Sequence, residues 1–94
     1  MGTPQKPIKV YVPVKVAFDE LGRMFPRAIV WEDGEVFEID RVIAVRPAYA
    51  ERAGGQGDRY TIRMRGKETY LFFEHSADFG SPVTGRWFVE RRED

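Results

Sequence analysis

"VWEDGEVFEIDRV", residues 30–42, consists of two apolar stretches folded about Asp33-Gly34. Asp-Gly suits a two-residue type I′ turn, because both central residues need positive φ and these two tolerate it. That turn pairs Trp31 with Val36, Val30 with Phe37, Ala28 with Ile39 and Arg27 with Asp40, and the last pair opposes a cation to a carboxylate. The spacing therefore predicts a strand over 26–32 and a longer one over 35–46. In the longer strand Phe37, Ile39, Ile43 and Val45 share a face that would also contain Arg41. Either Arg41 points inward with a partner, or a bulge near Asp40-Arg41 resets the alternation, which is the reading favoured here.

Upstream, residues 8–18 carry Ile8, Val10, Val12, Val14, Val16 and Phe18 at every second position, the pattern of a strand with one buried face. Pro13 cannot donate to a ladder, so this strand lies at an edge or its regular part begins at Pro13. Downstream, 47–58 reads as a loop, with one or two helical turns as the most that 47–53 could form. Its "GGQG" lacks the glycine spacing and the following helix of a phosphate-binding loop. Residues 59–65 and 68–74 alternate on either side of Gly66-Lys67. A two-residue turn there pairs Ile62 with Leu71 and Tyr60 with Phe73 inside, and Arg63 with Tyr70 and Thr61 with Phe72 outside. A second loop spans 75–85 and a last strand 86–91. The expected fold is all-β: a five- to six-stranded antiparallel meander forming a curved sheet or small partly open barrel. Its expected core is Val14, Val16, Val30, Phe37, Ile39, Tyr60, Ile62, Leu71, Phe73 and Val89.

The 94 residues suit one domain, with 1–7 as a flexible tail, and the absence of cysteine excludes disulfides and thiolate chemistry. Hydrophobic residues make up 43% of the chain, too many for intrinsic disorder. No apolar run is long enough to span a membrane and residues 1–9 lack a signal-peptide core, so a soluble cytoplasmic protein without membrane contact is expected. The formal net charge is zero, yet its distribution is uneven. Residues 32–40 hold five acids and no base, whereas 41–67 hold seven bases against two acids.

Paired acids can act as acid and base or hold a cation, but only where their side chains converge in a cleft. Glu32, Asp33, Glu35, Glu38 and Asp40 crowd a turn and one strand face, and read as solvated. His75 is the sole histidine; without a partner in motif relation it reads as a strand-end or loop residue. The most suggestive set is basic and aromatic: Arg59, Arg63, Arg65 and Lys67, with Tyr70 and Phe72 on the next strand and Arg86-Trp87 on the last. Outward arginines interleaved with rings are how strand platforms hold single-stranded nucleic acid. The same arginines could instead pair with Glu68, Glu74 or Glu90 and merely cover the surface.

The segments "PVKVAFDELGRMFPRAIVWEDGEVFEIDRV", "RYTIRMRGKETYLFFE" and "GRWFVER" resemble, in that order, a family of small bacterial all-β domains. Some members stand alone at about this length, and similar modules form the C-terminal appendage of ImuB-type proteins, relatives of Y-family DNA polymerases. The resemblance implies a binding or accessory module near nucleic acid or repair proteins and brings no catalytic residue with it. The expectation is thus a non-enzymatic module without metal or cofactor. Its candidate binding residues are Arg63, Arg65, Tyr70, Arg86 and Trp87, and its partner is left open between single-stranded nucleic acid and a protein. The alternative is a protein partner taken up by a strand edge or apolar patch.

Overall fold

The computed structural model describes residues 8–49, 56–76 and 82–91. All regular structure among them is β, in two antiparallel sheets. The strands are β1 (Ile8–Tyr11), β2 (Val14–Phe18), β3 (Met24–Val30), β4 (Val36–Glu38), β5 (Arg41–Tyr49), β6 (Gln56–Met64), β7 (Lys67–His75) and β8 (Gly85–Arg91). The large sheet has the order β1-β8-β7-β6-β5 and the small one β2-β3-β4. The strands do not close into a barrel.

Six extended segments become eight strands because two of them divide between the sheets. At the first corner Val12 N–H donates to the Trp87 carbonyl in the large sheet, and the Pro13 carbonyl accepts from Val30 N–H in the small one. Pro13, which has no N–H to offer, stands where the chain changes partners. At the second corner Ile39 N–H donates to Arg27 in β3 and Asp40 N–H to Arg63 in β6. The irregularity expected near Asp40-Arg41 is this crossing. A bulge follows at Ile43, where the register shifts between Val42 and Ala44. Arg41 accordingly lies opposite Arg63, and Val42 opposite Ile62.

Both tight turns depart from the predicted geometry. Gly34 N–H donates to the Trp31 carbonyl and Trp31 N–H to the Glu35 carbonyl, with Gly34 at φ 86°. This is a three-residue loop with glycine in the left-handed position, not the predicted two-residue turn. The register slips by one, pairing Val30 with Val36 and Ile29 with Phe37. At the other hairpin the two-residue turn is Arg65-Gly66, with φ of 53° and 75°. Here Tyr60 pairs with Leu71 and Ile62 with Thr69, two residues from the predicted register. A shift of two keeps every side chain on its face.

The buried cluster is Val12, Ile29, Tyr60, Ile62, Leu71, Phe73 and Trp87. Each large side chain so buried stabilises the fold by about 1.5–3 kcal/mol. Four of the expected core residues, Tyr60, Ile62, Leu71 and Phe73, belong to it; Val14, Val16, Ile39 and Val89 pack against it partly buried. Val30 and Phe37 are only partly buried, and Ile29 takes the central place instead. The expected loops are shorter than predicted: residues 47–49 and 56–58 are strand, and His75 pairs with Gly85. The tail over residues 1–7 and the "GG" of the first loop lie outside the described residues.

Candidate functional site

Alternation places Tyr60, Ile62, Leu71, Phe73 and Trp87 on the inner face of the large sheet, so their neighbours in sequence point outward. On β6 these are Arg59, Thr61 and Arg63; on β7, Glu68, Tyr70, Phe72 and Glu74. On β8 they are Arg86, Phe88 and Glu90, and on β1, Lys9 and Tyr11. The register makes Arg63 face Arg41 and Arg59 face Arg46 across the β5–β6 ladder. Directly opposed like charges destabilise a sheet by tenths of a kcal/mol to about 1 kcal/mol per pair. Among the described residues neither Arg41 nor Arg46 has a carboxylate within ion-pair distance. Of the four ladder arginines, only Arg63 has a counter-ion among the described residues, Glu68 at 3.8 Å, with both side chains about half exposed.

Beside this ladder four aromatic rings run across β7, β8 and β1. Tyr70 and Phe72 lie 6.4 Å apart between centroids, Phe72 and Phe88 stack at 4.9 Å with planes 7° apart, and Phe88 meets Tyr11 edge-on at 5.8 Å. Cations lie over three of them: the Arg59 guanidinium 4.5 Å from Tyr70, Lys9 Nζ 4.8 Å from Phe88 and Arg86 3.5 Å from Tyr11. Arg59 Nε is buried against its ring without a hydrogen-bond partner. Glu74 sits among them: Lys9 donates to its Oε2 at 2.9 Å, and the Tyr11 hydroxyl donates to the carboxylate at 3.2 Å. The Lys9 hydrogen bond, the positive charges of Lys9 and Arg86 and the Tyr11 hydroxyl hold the Glu74 pKa below the ordinary range, against the opposing effect of burial.

The five candidate residues separate. Arg63 and Tyr70 lie on the outer face, Tyr70 49% exposed. Arg86 shares that face, across from Glu74. Arg65 is used elsewhere: its guanidinium covers the Phe37 ring at 4.1 Å and donates to Glu35 at 2.7 Å, tying the β6–β7 turn to the β3–β4 turn. Trp87 is 8% exposed and packs between Tyr60 and Phe73 in the core, so the outward ring expected from it is absent. Val89, assigned to the core, has the same parity as Trp87, and that parity was the available signal. Lys9, Tyr11, Arg41, Arg46 and Phe88 escaped notice because their side-by-side placement depends on register.

The acids of 32–40 do not converge. Asp33 accepts the Glu35 N–H within its own turn, Glu35 holds Arg65, and Glu32 approaches Arg91 at 3.9 Å. His75 does meet a carboxylate, Asp58 at 2.9 Å, and among the described residues the two side chains are 51% and 30% exposed. Among the described residues no three His, Cys, Asp or Glu side chains are grouped to hold a metal ion. No protein-family profile, curated protein or solved structure matches the chain.

Proposed function

We propose that this domain is a non-enzymatic binding module whose outer sheet face takes up single-stranded nucleic acid, as an accessory to nucleic-acid transactions such as repair. The two adjacent arginine pairs, Arg41–Arg63 and Arg46–Arg59, carry the reading. A sheet selected for stability alone would place acids opposite both members of each pair; a phosphate backbone laid along the ladder supplies the counter-charge that, among the described residues, Arg41, Arg46 and Arg59 lack. Lys9 and Arg86 add to the positive charge of this face, against Glu68, Glu74 and Glu90, so the neutral total hides a local excess. Flexible single strands suit a flat face of cations and rings better than a duplex, whose bases are already stacked on one another.

Oligothymidine titrated at several salt concentrations tests this. Affinity falls steeply with salt, and Arg46→Ala weakens binding and lowers the slope of the log–log plot by about one. The same substitution leaves the melting temperature unchanged or slightly higher, because it removes a repulsion. Binding that is indifferent to salt, or absent at low salt, refutes the proposal.

The second reading, a protein-interaction module, is favoured by β5. It is an edge strand of nine residues with Ile43 and Val45 more than 40% exposed. Such an edge can accept an added strand, although Pro47 within it offers no N–H. A β5-directed partner would survive Arg46→Ala and be lost on placing a second proline at Val45.

A further inference from the structure

We propose that the ring row Tyr70, Phe72, Phe88 and Tyr11 is a base-stacking track, open at its two ends and closed in the middle by the Lys9–Glu74 pair. The inference rests on the nucleic-acid reading above and adds to it where the bases go and what limits their access.

Ring pairs across β7, β8 and β1 stabilise the sheet, but packing alone does not require the rings at the two ends of the row to remain open to water. Exposed aromatic surface of this kind is a cost in water unless something covers it. Intramolecular cations cover it here only in part. Tyr70 and Tyr11, at the ends, are 49% and 38% exposed, whereas Phe88, beneath Lys9, is 6% exposed. The rings stand 4.9–6.4 Å apart between centroids, and every base offers a face that the exposed end rings, Tyr70 and Tyr11, accept. The row lies beside the arginine ladder, since Phe72 is directly opposite Arg59 across β6 and β7. A strand whose phosphates follow the arginines therefore turns its bases toward the rings.

Glu74 opposes this. Its carboxylate is the negative charge in contact with the track's cations, among the described residues, and it anchors Lys9 over Phe88 while accepting the Tyr11 hydroxyl. A phosphate competes with Glu74 for Lys9 and Arg86. Drawing Lys9 away uncovers the part of Phe88 that Phe72 and Tyr11 do not already cover, and so lengthens the stacking surface. Glu74 thus sets how much of the row a ligand can use.

The test compares a labelled oligothymidine with an abasic oligomer of equal length by fluorescence anisotropy. DNA and RNA single strands share the chemistry at issue, so oligouridine serves equally. The intact protein binds the base-bearing strand roughly fivefold or more tightly than the abasic one. Tyr70→Ala and Tyr11→Ala reduce that ratio toward one with little effect on the abasic strand, whereas Tyr70→Phe, which keeps the ring, preserves it. Glu74→Gln, close in size and still able to accept from Tyr11, raises affinity for the base-bearing strand severalfold more than for the abasic one. Equal affinity for the two strands overturns the track while leaving the arginine ladder standing, and so does an unchanged ratio in both tyrosine variants. An equal gain for both strands in Glu74→Gln overturns the gating role, and failure of both strands to bind overturns the nucleic-acid reading itself.

Discussion

Glu74 shows how one side chain can serve stability and oppose ligand binding at once. It ties β1 to β7 over the top of β8, through Lys9 and Tyr11. Its pKa is lowered in the folded protein, so its contribution to stability is complete above the ordinary glutamate value of about 4.3 and is lost as pH falls through the lower folded value. At neutral pH Glu74→Gln should melt below the unsubstituted protein, and the gap should narrow progressively as pH falls below the ordinary glutamate range. Melting temperatures of both proteins across that range check this, and a gap constant with pH would mean that the carboxylate is not the anchor. Neighbouring residues show what a sequence conceals. Arg63 and Arg65 look equivalent in an alternating run, yet Arg65 occupies a turn with φ 53° and serves the opposite hairpin. Only the turn position separates them, and the turn was one residue from where Gly66-Lys67 suggested.

At the scale of the element, turn chemistry was legible and turn geometry was not. Asp33-Gly34 and Arg65-Gly66 each end in a glycine at positive φ, but one belongs to a three-residue loop and the other to a two-residue turn. The difference has a cause in the side chains. Asp33 accepts the N–H of Glu35, two residues on, which supports a right-handed turn with only the glycine left-handed. Arg65 cannot make that bond, and it enters the left-handed region held by Glu35 and Phe37 of the β3–β4 hairpin. At Gly66 nothing would touch an added methyl group, so the cost of Gly66→Ala is conformational alone. It should lower stability by about 1 kcal/mol, read as a shifted urea midpoint with unchanged slope. At Gly85 the added methyl would meet the Phe73 ring and the Glu74 carbonyl. Gly85→Ala should therefore cost more, about 1–3 kcal/mol for overpacking, and the order of the two variants distinguishes strain in a turn from a clash between strands. An opposite order would place the strain in the turn and relieve the clash at Gly85.

For the whole molecule, period-two patterning showed that the chain is all-β and antiparallel but could not show that it makes two sheets. Residues 8–18 alternate without interruption, because a strand that passes from one sheet to another keeps its inner face toward the same core. Only Pro13 marked the passage. The candidate face was half legible for a related reason: alternation tells which residues of a strand point outward, and register alone tells which of them meet. Sharing two continuous strands has a thermodynamic consequence. The small sheet has three strands and leans on Ile29, which is 1% exposed, for its contact with the large one. Three strands are the fewest that can be stable alone, this sheet buries its central residue against the other, and the chain at both corners is hydrogen-bonded to both sheets, so they should unfold together. The two tryptophans report them separately, with Trp31 following β3 and Trp87 buried on β8. Urea titrations of Trp31→Phe, which leaves Trp87 as the probe, should therefore coincide with circular dichroism of the same variant, as two-state unfolding requires. Ile29→Ala made in that background should lower stability by about 2–5 kcal/mol and move the Trp87 signal by the full amount, although the substitution lies in the other sheet. A Trp87 midpoint that stayed in place while circular dichroism showed an earlier loss of structure would mean that the small sheet melts alone and that the corners do not couple the two.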